Sequence, residues 1–324
     1  DQFGTNRPAR YVGFRNYQNL LSFKLDTVTC KKDEGAAECA RTRNGSIIWN
    51  LSSVEDEERT KLRSMSRDER RSYTSYSEAA TWSLPSSDKG LRLLGKDPQF
   101  LNSIGHTLKF TFMSVVLVLI LGLLIALVVN SSFKGRGLMR AAMLVPWAIP
   151  TVVSAVLWQT MMRGDQTGIL NKFLVDVGIF DRPQQWFATT GPWMRSIVAV
   201  DVWKTAPFMA LLLLAGLQVI PGDLYEAASV DGASKLRQFF TITLPLLRPT
   251  IAIALIFRTL DALRVFDVFQ VLLDETRPSM ATYNYYRLVL SGADGYASAV
   301  GVIIFLFILL FTVVYVRFVG IERE

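Results

Sequence analysis

The chain has 324 residues, of which 50% are hydrophobic and 19% are charged, and its formal net charge is +7. The apolar residues are gathered in blocks longer than the ~18 residues that suggest a membrane-spanning helix, which excludes a single soluble domain. The basic residues are scattered and lie mostly outside these blocks, so the positive charge favours a solvated surface over a nucleic-acid interface. We therefore predict an all-α, polytopic helical bundle that contacts membrane lipid and binds no nucleic acid.

Residues 1–98 are polar and predict a loop or a small folded insert. The only two cysteines, Cys30 and Cys39, lie in this region and are candidates for a local disulfide if it faces an oxidising compartment. The single histidine, His106, has no second ligand nearby in the sequence, so we expect no metal site.

Five apolar blocks predict five membrane spans, at about residues 107–130, 140–162, 196–220, 249–273 and 296–316. The turn at residues 131–137 holds basic residues and no acid, which favours a cytoplasmic position. Alternation then places residues 163–195 and 274–295 outside the cell and residues 221–248 inside. Pro146 and Pro150 in the second span and Pro207 in the third indicate either packing irregularities or kinks beside a central cavity.

The polar stretch 221–248 predicts a compact helix-turn-helix. Acids in the first turn favour a helix at residues 223–228, Gly232 can reverse the chain, and Ser234 can cap a second helix over residues 235–241. We expect Pro245 to end that second helix. DNA binding is disfavoured because the stretch has no net basic charge and is tethered to the membrane at both ends.

The spacing of Glu226-Ala227-Ala228, Gly232, Ile242 and Leu244-Pro245 resembles the EAA loop of permease subunits of ATP-binding-cassette (ABC) importers. The resemblance extends through WKTAPF (203–208), GLQVIP (216–221), VDGA (230–233), FRTLDALRVFD (257–267) and VGFRNY (12–17), which look like the maltose and trehalose type. It covers roughly residues 10–23 and 99–319.

This resemblance implies a type I permease fold in the inner or plasma membrane of a prokaryote. It divides the chain into an extracytoplasmic segment over residues 1–98, with an insert of unknown fold at about 24–98, and a transmembrane domain over residues 99–319. The insert is shorter than the folded domain of the maltose-type permease. The family's first helix is expected to precede Asp1.

The resemblance also implies a coupling role for residues 221–248, in which the loop docks in a cleft of an ATPase. The residues implied in this coupling are Glu226, Ala227, Ala228, Asp231, Gly232, Leu244 and Pro245. The chain has no Walker-type glycine loop, so we expect ATP and Mg on the partner ATPase, no cofactor on this chain and no enzyme activity. The implied partners are a second permease subunit in a heterodimer, two cytoplasmic ATP-binding subunits and an extracytoplasmic solute-binding protein.

The expected substrate is a di- or oligosaccharide such as trehalose, maltose or maltodextrin. Arg258, Asp261, Arg264 and Asp267 alternate in sign at spacings of three, which predicts an ion-pair ladder along one helix, a polar lining for sugar hydroxyls, or both. Asp261 and Arg264, nearest the middle of the fourth span, are the first candidates for sugar contact. Further candidates from the third span are Trp203, Thr205 and Phe208.

Three alternatives remain open. The same architecture could carry another solute, such as glycerol phosphate or a polyol. A non-transporting membrane scaffold or sensor could use the loop to recruit a cytoplasmic protein. A membrane-embedded enzyme is disfavoured because the sequence has no His, Cys or acidic cluster with catalytic spacing.

Overall fold

The computed structural model describes residues 12–31, 38–39, 41–43, 46–48, 77–83, 89–188 and 192–319. The chain divides into a first unit, formed by Asp1–His106 with Thr282–Ile304, and a second unit, formed by Thr107–Ala281 with Phe305–Glu324. The predicted division after residue 98 differs from this one, because residues late in the chain pack with the N-terminal segment. Much of the predicted insert, including residues 49–76, lies outside the described ranges.

The first unit contains an antiparallel sheet that the sequence did not predict. Four strands lie in the order β2-β1-β6-β5, and a separate pair joins β3 to β4. Their bounds are β1 Phe23–Lys31, β2 Glu38–Cys39, β3 Arg41–Arg43, β4 Ser46–Ile48, β5 Ser77–Ser83 and β6 Lys89–Gly95. Side chains of a strand alternate between faces, and in β6 Arg92 and Leu94 are buried whereas Leu91 is exposed.

A small core explains why late residues belong to the first unit. Leu20, from helix α1 Arg15–Leu21, is buried with Phe100, Tyr283 and Val300. The rings of Phe100 and Tyr283 lie 5.6 Å apart. Residues 282–304 therefore contribute to the core of the first unit.

The other regular elements of the described chain are helices. The further helices are α2 Pro98–Asn130, α3 Arg136–Ala148, α4 Thr151–Met161, α5 Ile169–Asp176, α6 Trp193–Val219, α7 Asp223–Val230, α8 Lys235–Gln238, α9 Leu244–Leu263, α10 Asp267–Leu272, α11 Met280–Tyr285 and α12 Asp294–Val319. Short turns of other helix types lie at Phe239–Thr243, Asp274–Thr276 and Tyr286–Leu290.

Within the described ranges, four helical segments are long and apolar enough to cross a membrane. They are α2, α6, the continuous run Lys235–Leu263 and the first part of α12, Asp294–Val314. Helices α3 and α4 provide a fifth span if the pair, bent by 89°, is counted as one.

The fourth span does not lie where the sequence placed it. It was predicted at residues 249–273, but α9 ends at Leu263 and α10 starts separately at Asp267. The last turn of α9 tightens through bonds from Arg264 N to Asp261 O and from Val265 N to Ala262 O, at 3.2 and 3.3 Å. Such short-range bonds satisfy carbonyls that a helix end would otherwise leave unpaired.

Pro245 does not end the helix before it, so that prediction was wrong. Helix α8 continues through the π-helical turn Phe239–Thr243 into α9, and Pro245 lies in the first turn of α9. The Leu244 N–H bonds to the carbonyl of Phe239, five residues back. We attribute the continuity to this wider turn, which changes the backbone pairing just where proline lacks an N–H.

Helix α6 runs through the core of the second unit, and its buried residues include Ile197, Val200, Ala210 and Leu213. Helix α6 packs closely on α9 at Gly216. A side chain there would not fit, since a Cβ added to Gly216 would lie 2.5 Å from Thr250 Oγ1. Small residues allow such close approach between membrane helices. The core thus fixes α6 and α9 against each other along the segments that carry the buried charges.

Candidate transport cavity and coupling segment

The second unit contains a cavity of about 620 Å³. Most of its lining comes from three parts of the chain: the break between α3 and α4, one face of α6, and the end of α9 with the turn and the start of α10 that follow; Phe110 of α2 completes it. Its lining residues are Phe110, Trp147, Ala148, Ile149, Pro150, Thr151, Asp201, Lys204, Thr205, Arg258, Asp261, Ala262, Arg264, Val265, Phe266, Asp267 and Val268. A smaller cavity of about 280 Å³ has Trp147, Thr205, Arg258, Asp261 and Arg264 in common with it and is also lined by Phe208.

Helix α6 presents four residues to these cavities on a single face. Asp201, Lys204, Thr205 and Phe208 are spaced at i, i+3, i+4 and i+7, which places them one above another on a helix. Thr205 lines both cavities and Phe208 lines the smaller one, and their contact with a sugar stays a prediction. Asp201 and Lys204 interrupt an otherwise apolar span, and sequence reasoning assigned neither of them a role.

Arg258 joins three helices through a buried polar network. Its guanidinium contacts the Asp201 carboxylate and the Ser114 hydroxyl through Nη2, and Asp261 Oδ2 through Nη1 at 2.8 Å. Ser114 in turn donates to Asp201. The side chain of Arg258 is only 6% exposed, whereas that of Asp261 is 67% exposed. One end of the network is therefore buried and the other end faces the cavity.

The predicted ion-pair ladder forms only in part. Arg258 pairs with Asp261, but within the described part of the chain Arg264 and Asp267 belong to no ion pair. The helix ends at Leu263, so these two residues do not continue the face of α9. They line the cavity instead.

The break in the second span lies at the cavity wall. Pro146 is inside α3, Ile149 is extended, and Pro150 precedes α4. The carbonyl oxygens of Trp147 and Ile149 accept hydrogen bonds from the Lys204 ammonium. Of the two interpretations of these prolines, this geometry favours the kink beside a cavity. Pro207, by contrast, is buried within an unbroken α6.

Aromatic residues divide into two groups. Trp147 stacks on Phe208, with ring centroids 5.0 Å apart and planes 10° apart, and lines both cavities. Trp203 instead meets Trp158 edge-on at 5.5 Å and lines neither cavity. Trp147 was missed because no sequence signal singled it out, although it adjoins Pro146.

Residues 221–248, the segment predicted to couple to an ATPase and named the coupling segment below, have the predicted helix-turn-helix geometry. Gly232 has a φ of +76°, and the Ala233 and Gly232 N–H groups donate to the carbonyls of Ala228 and Ser229. These two bonds define a Schellman motif, which ends a helix with a left-handed residue. Ser234 Oγ then accepts from the Arg237 N–H at 3.4 Å and caps α8.

Side-chain contacts hold the two helices of this segment together. Gln238 is buried and donates to Ser229 Oγ and to the Ala233 carbonyl at 2.9 and 3.1 Å, and Tyr225 shares a 2.9 Å bond with Thr243. Of the residues predicted to couple to an ATPase, Glu226, Ala227, Asp231 and Gly232 are exposed, and Ala228, Leu244 and Pro245 are half-buried. Five large apolar side chains of this segment are also exposed: Leu224, Val230, Leu236, Phe240 and Leu246.

A second polar cluster lies in the first unit, around Asp97. Its Oδ1 accepts from the Phe100 N–H at 3.0 Å and caps α2. Its Oδ2 accepts from the hydroxyls of Tyr283 and Tyr296 and, at 3.5 Å, from Arg287. Burial and the hydrogen bond to Asp97 raise the pKa of Tyr283, so this hydroxyl stays protonated and donates. Sequence reasoning gave no indication of this cluster.

Strands β1 and β2 place Cys30 directly opposite Cys39 in antiparallel register. Opposed residues of such strands have Cα atoms about 4.5–5.5 Å apart, which is within the range of a disulfide. The register is thus compatible with the predicted bond, which stays a prediction. Among the described residues, no group of three His, Cys, Asp or Glu side chains could hold a metal ion.

A family model described as a binding-protein-dependent transport system inner membrane component matches residues 118–320. The chain belongs to this family. It is therefore a permease subunit of an ABC importer, a membrane component and not an enzyme, and the predicted fold class and family are confirmed.

Individual relatives agree with this assignment. The trehalose/maltose transport system permease protein MalF of Thermococcus litoralis is 46% identical over 232 residues, 70% of this chain and 77% of that protein. The sulfoquinovosyl glycerol transport system permease protein SmoG of Agrobacterium fabrum is 36% identical over 255 residues, 76% of this chain and 82% of that protein. A solved bacterial alginate ABC transporter, in complex with an alginate pentasaccharide-bound periplasmic protein, contains a chain with a TM-score of 0.59 and 31% identity, covering 69% of this permease and 78% of that chain.

Proposed function

We propose that this permease forms one half of the translocation pore of an ATP-driven importer of neutral di- or oligosaccharides, namely trehalose, maltose or maltodextrin. The observation that supports this most directly is the cavity of about 620 Å³, which combines an aromatic ring with several hydrogen-bonding side chains. Small-molecule sites are typically of about 300–1,000 Å³, with apolar walls and a few placed polar groups. A disaccharide needs both kinds of contact, because its ring faces are apolar and its rim carries hydroxyls.

Each part of the cavity suits one part of a sugar. The stacked pair of Trp147 and Phe208 offers an aromatic surface for a ring face. Thr205, Asp261 and Arg264 offer hydroxyl, carboxylate and guanidinium groups for hydroxyls at its rim. In this proposal the buried end of the Arg258 network fixes the helices, and its exposed end at Asp261 contacts the solute.

The charge balance of the cavity favours a neutral solute. Its lining includes three cationic residues, Lys204, Arg258 and Arg264, and three acidic ones, Asp201, Asp261 and Asp267, so the formal charges cancel. An anionic solute would lack a net attraction in such a site. Arg264, however, has no ion-pair partner in the described ranges, which keeps an anionic glycoside or glycerol phosphate as the second candidate.

The assembly proposed around this chain follows from the coupling segment. The complex would include two cytoplasmic ATP-binding subunits that carry ATP and Mg. One of them would dock on residues 221–248, with Glu226 pairing a basic group and Leu236 entering an apolar cleft. A second permease subunit would complete the pore, and an extracytoplasmic solute-binding protein would deliver the sugar. The orientation with residues 221–248 inside the cell is part of this proposal.

Uptake of radiolabelled trehalose and maltose into vesicles that hold the complete importer tests the proposal. We expect saturable, ATP-dependent uptake that unlabelled glycerol phosphate and sulfoquinovosyl glycerol do not inhibit. Uptake of an anionic solute alone would replace the sugar assignment, and an assembled complex that moves neither kind of solute would favour the scaffold alternative.

The aromatic pair provides the matched variants. Loss of a stacking ring costs about 0.5–1.5 kcal/mol, so we expect Trp147→Ala to reduce uptake about three- to tenfold and Trp147→Phe to restore most of it. Trp203→Ala should have the smaller effect, because the Trp203 ring contacts Trp158 and not the cavity. The opposite order would assign the solute to the other face of α6.

A further inference from the structure

The ammonium of Lys204 lies at an unusual place for a lysine within an apolar helix. It donates to the Trp147 carbonyl at 3.2 Å and also to the carbonyl of Ile149. These two residues flank the end of α3, immediately before Pro150 and the 89° bend. Within the described part of the chain, Lys204 forms no ion pair, and its hydrogen-bond partners are backbone carbonyls.

The end of α3 needs such a donor. The last carbonyls of a helix have no partner within it, and Pro150 cannot supply an N–H. The chain turns away at Ile149, whose own N–H bonds back to Val145. The helix dipole also places partial negative charge at this end, which a cation stabilises.

A second contact fixes the same end one helical turn along α6. Phe208 follows Lys204 by four residues and stacks on the Trp147 ring at 5.0 Å. The backbone of Trp147 is thus held by Lys204 while its ring is held by Phe208. Both contacts come from the α6 face that lines the cavity.

We propose that Lys204 is a positioning residue, whose ammonium clamps the carbonyl end of α3 to α6 and so keeps Trp147 in the cavity wall. The clamp acts on the wall of the cavity and not on the solute. Its effect on transport rests on the proposed function, whereas its effect on the position of the broken span does not. The two can therefore be tested apart.

The accessibility of residue 149, in the break between α3 and α4, reports directly on whether the contact with Lys204 holds this end of α3 in place. Ile149→Cys is introduced into the complete importer in vesicles, and alkylation of the new thiol is followed by peptide mass spectrometry. Ile149 contributes only its backbone carbonyl to the clamp. Removal of a hydrogen bond to a charged group is worth about 1.5–3 kcal/mol, so we expect Lys204→Met to speed alkylation at least about tenfold.

Further variants at position 204 distinguish the effect of the positive charge from the effect of side-chain size. Lys204→Arg retains a cation and should leave alkylation close to the wild-type rate, and Lys204→Gln should give an intermediate rate. Lys172→Met removes an exposed lysine of α5 and is the control for lost charge alone. If Lys204→Met prevents assembly, Lys204→Gln decides the matter.

Transport gives the second readout. We expect Lys204→Met to lower the sugar moved per ATP hydrolysed, a ratio that a reduced amount of folded complex would not change, and Lys204→Arg to restore it. An alkylation rate that Lys204→Met and Lys204→Gln leave unchanged would overturn the clamp. A wild-type complex that moves no sugar would overturn the proposed function while the alkylation result still stands.

Discussion

At the scale of single residues, Arg258 is the charge whose environment is most constrained. It is buried, and its guanidinium bonds to residues of α2, α6 and α9. A buried ion pair contributes little net stability compared with apolar residues, but removing one partner leaves an uncompensated charge. The two carboxylates that Arg258 contacts differ in exposure, so their substitution separates the buried contact from the exposed one.

Arg258→Met should destabilise the permease strongly, because it leaves the Asp201 carboxylate buried without its cation. The expected loss is about 3–5 kcal/mol, measured as the change in thermal unfolding of the purified complex. Asp261→Asn is the matched control, since it alters the exposed side of the same guanidinium, where an ion pair is worth about 0–1 kcal/mol. Equal losses in the two variants would contradict this account.

The sequence identified these charges but not their pairing. Arg258 and Asp261 are three residues apart, and their contact follows from helical spacing. Asp201 lies 57 residues from Arg258, and Ser114 lies 144 residues away, so no local pattern connects them. The sequence also gave no indication of the role proposed for Lys204. Its hydrogen-bond partners are backbone carbonyls, and every residue carries one, so no residue type marks the contact.

At the scale of elements, the coupling segment was the most predictable part of the chain. Its turn depends on local chemistry, with glycine at the left-handed position and serine at the following cap. Pro245 was misjudged because proline usually stops a helix, and the π-helical turn that allows the chain to continue has no sequence signal of comparable strength.

Gly232→Ala should weaken the coupling turn. The φ of +76° at this position costs a residue with a Cβ about 1–2 kcal/mol, so we expect less ATPase subunit to co-purify and uptake to fall with it. Gly222→Ala is the control, since Gly222 has a φ of −64° and neither glycine has an atom within 4 Å of an added Cβ. Backbone conformation is then the main difference between the variants. Identical co-purification would show that the turn tolerates the strain.

At the scale of the whole molecule, Asp97 links distant parts of the chain within the first unit. It caps α2 immediately after β6, and it accepts bonds from residues about 190 positions later in the sequence. These bonds and the core around Phe100 place residues 282–304 in this unit. The arrangement explains why a linear division into an N-terminal segment and a membrane domain did not match the structure.

Asp97→Asn should loosen the first unit as a whole. It removes the negative charge that accepts hydrogen bonds from Arg287 and from two tyrosine hydroxyls. Each hydrogen bond to a charged group contributes about 1.5–3 kcal/mol. Hydrogen exchange should therefore quicken both at residues 89–106 and at residues 282–304. Tyr296→Phe, which removes one donor, should give a smaller change in the same peptides. Faster exchange confined to residues 89–106 would show that Asp97 acts only as a helix cap.

The sequence predicted the parts of the architecture that depend on hydropathy, but not the parts that depend on contacts between residues far apart in the chain. Apolar blocks located most of the spanning helices, since a bilayer requires long apolar helices. The sheet of the first unit went unpredicted because its central pairing joins β1 to β6, whose paired residues are at least 60 positions apart in the sequence. The fourth span also differs from the prediction, because Arg264 lies in the turn after α9 and Asp267 begins the separate helix α10.

The unbroken helical path through Pro245 has a mechanical consequence. Leu236 and Arg258 are 22 positions apart on the run Lys235–Leu263, about 33 Å along a helix and close to the thickness of the hydrocarbon core. Because the run is one continuous helix, a displacement imposed at Leu236 is carried along a single backbone segment towards the guanidinium at its other end. Force applied to an exposed surface thus reaches the buried charges through one piece of backbone.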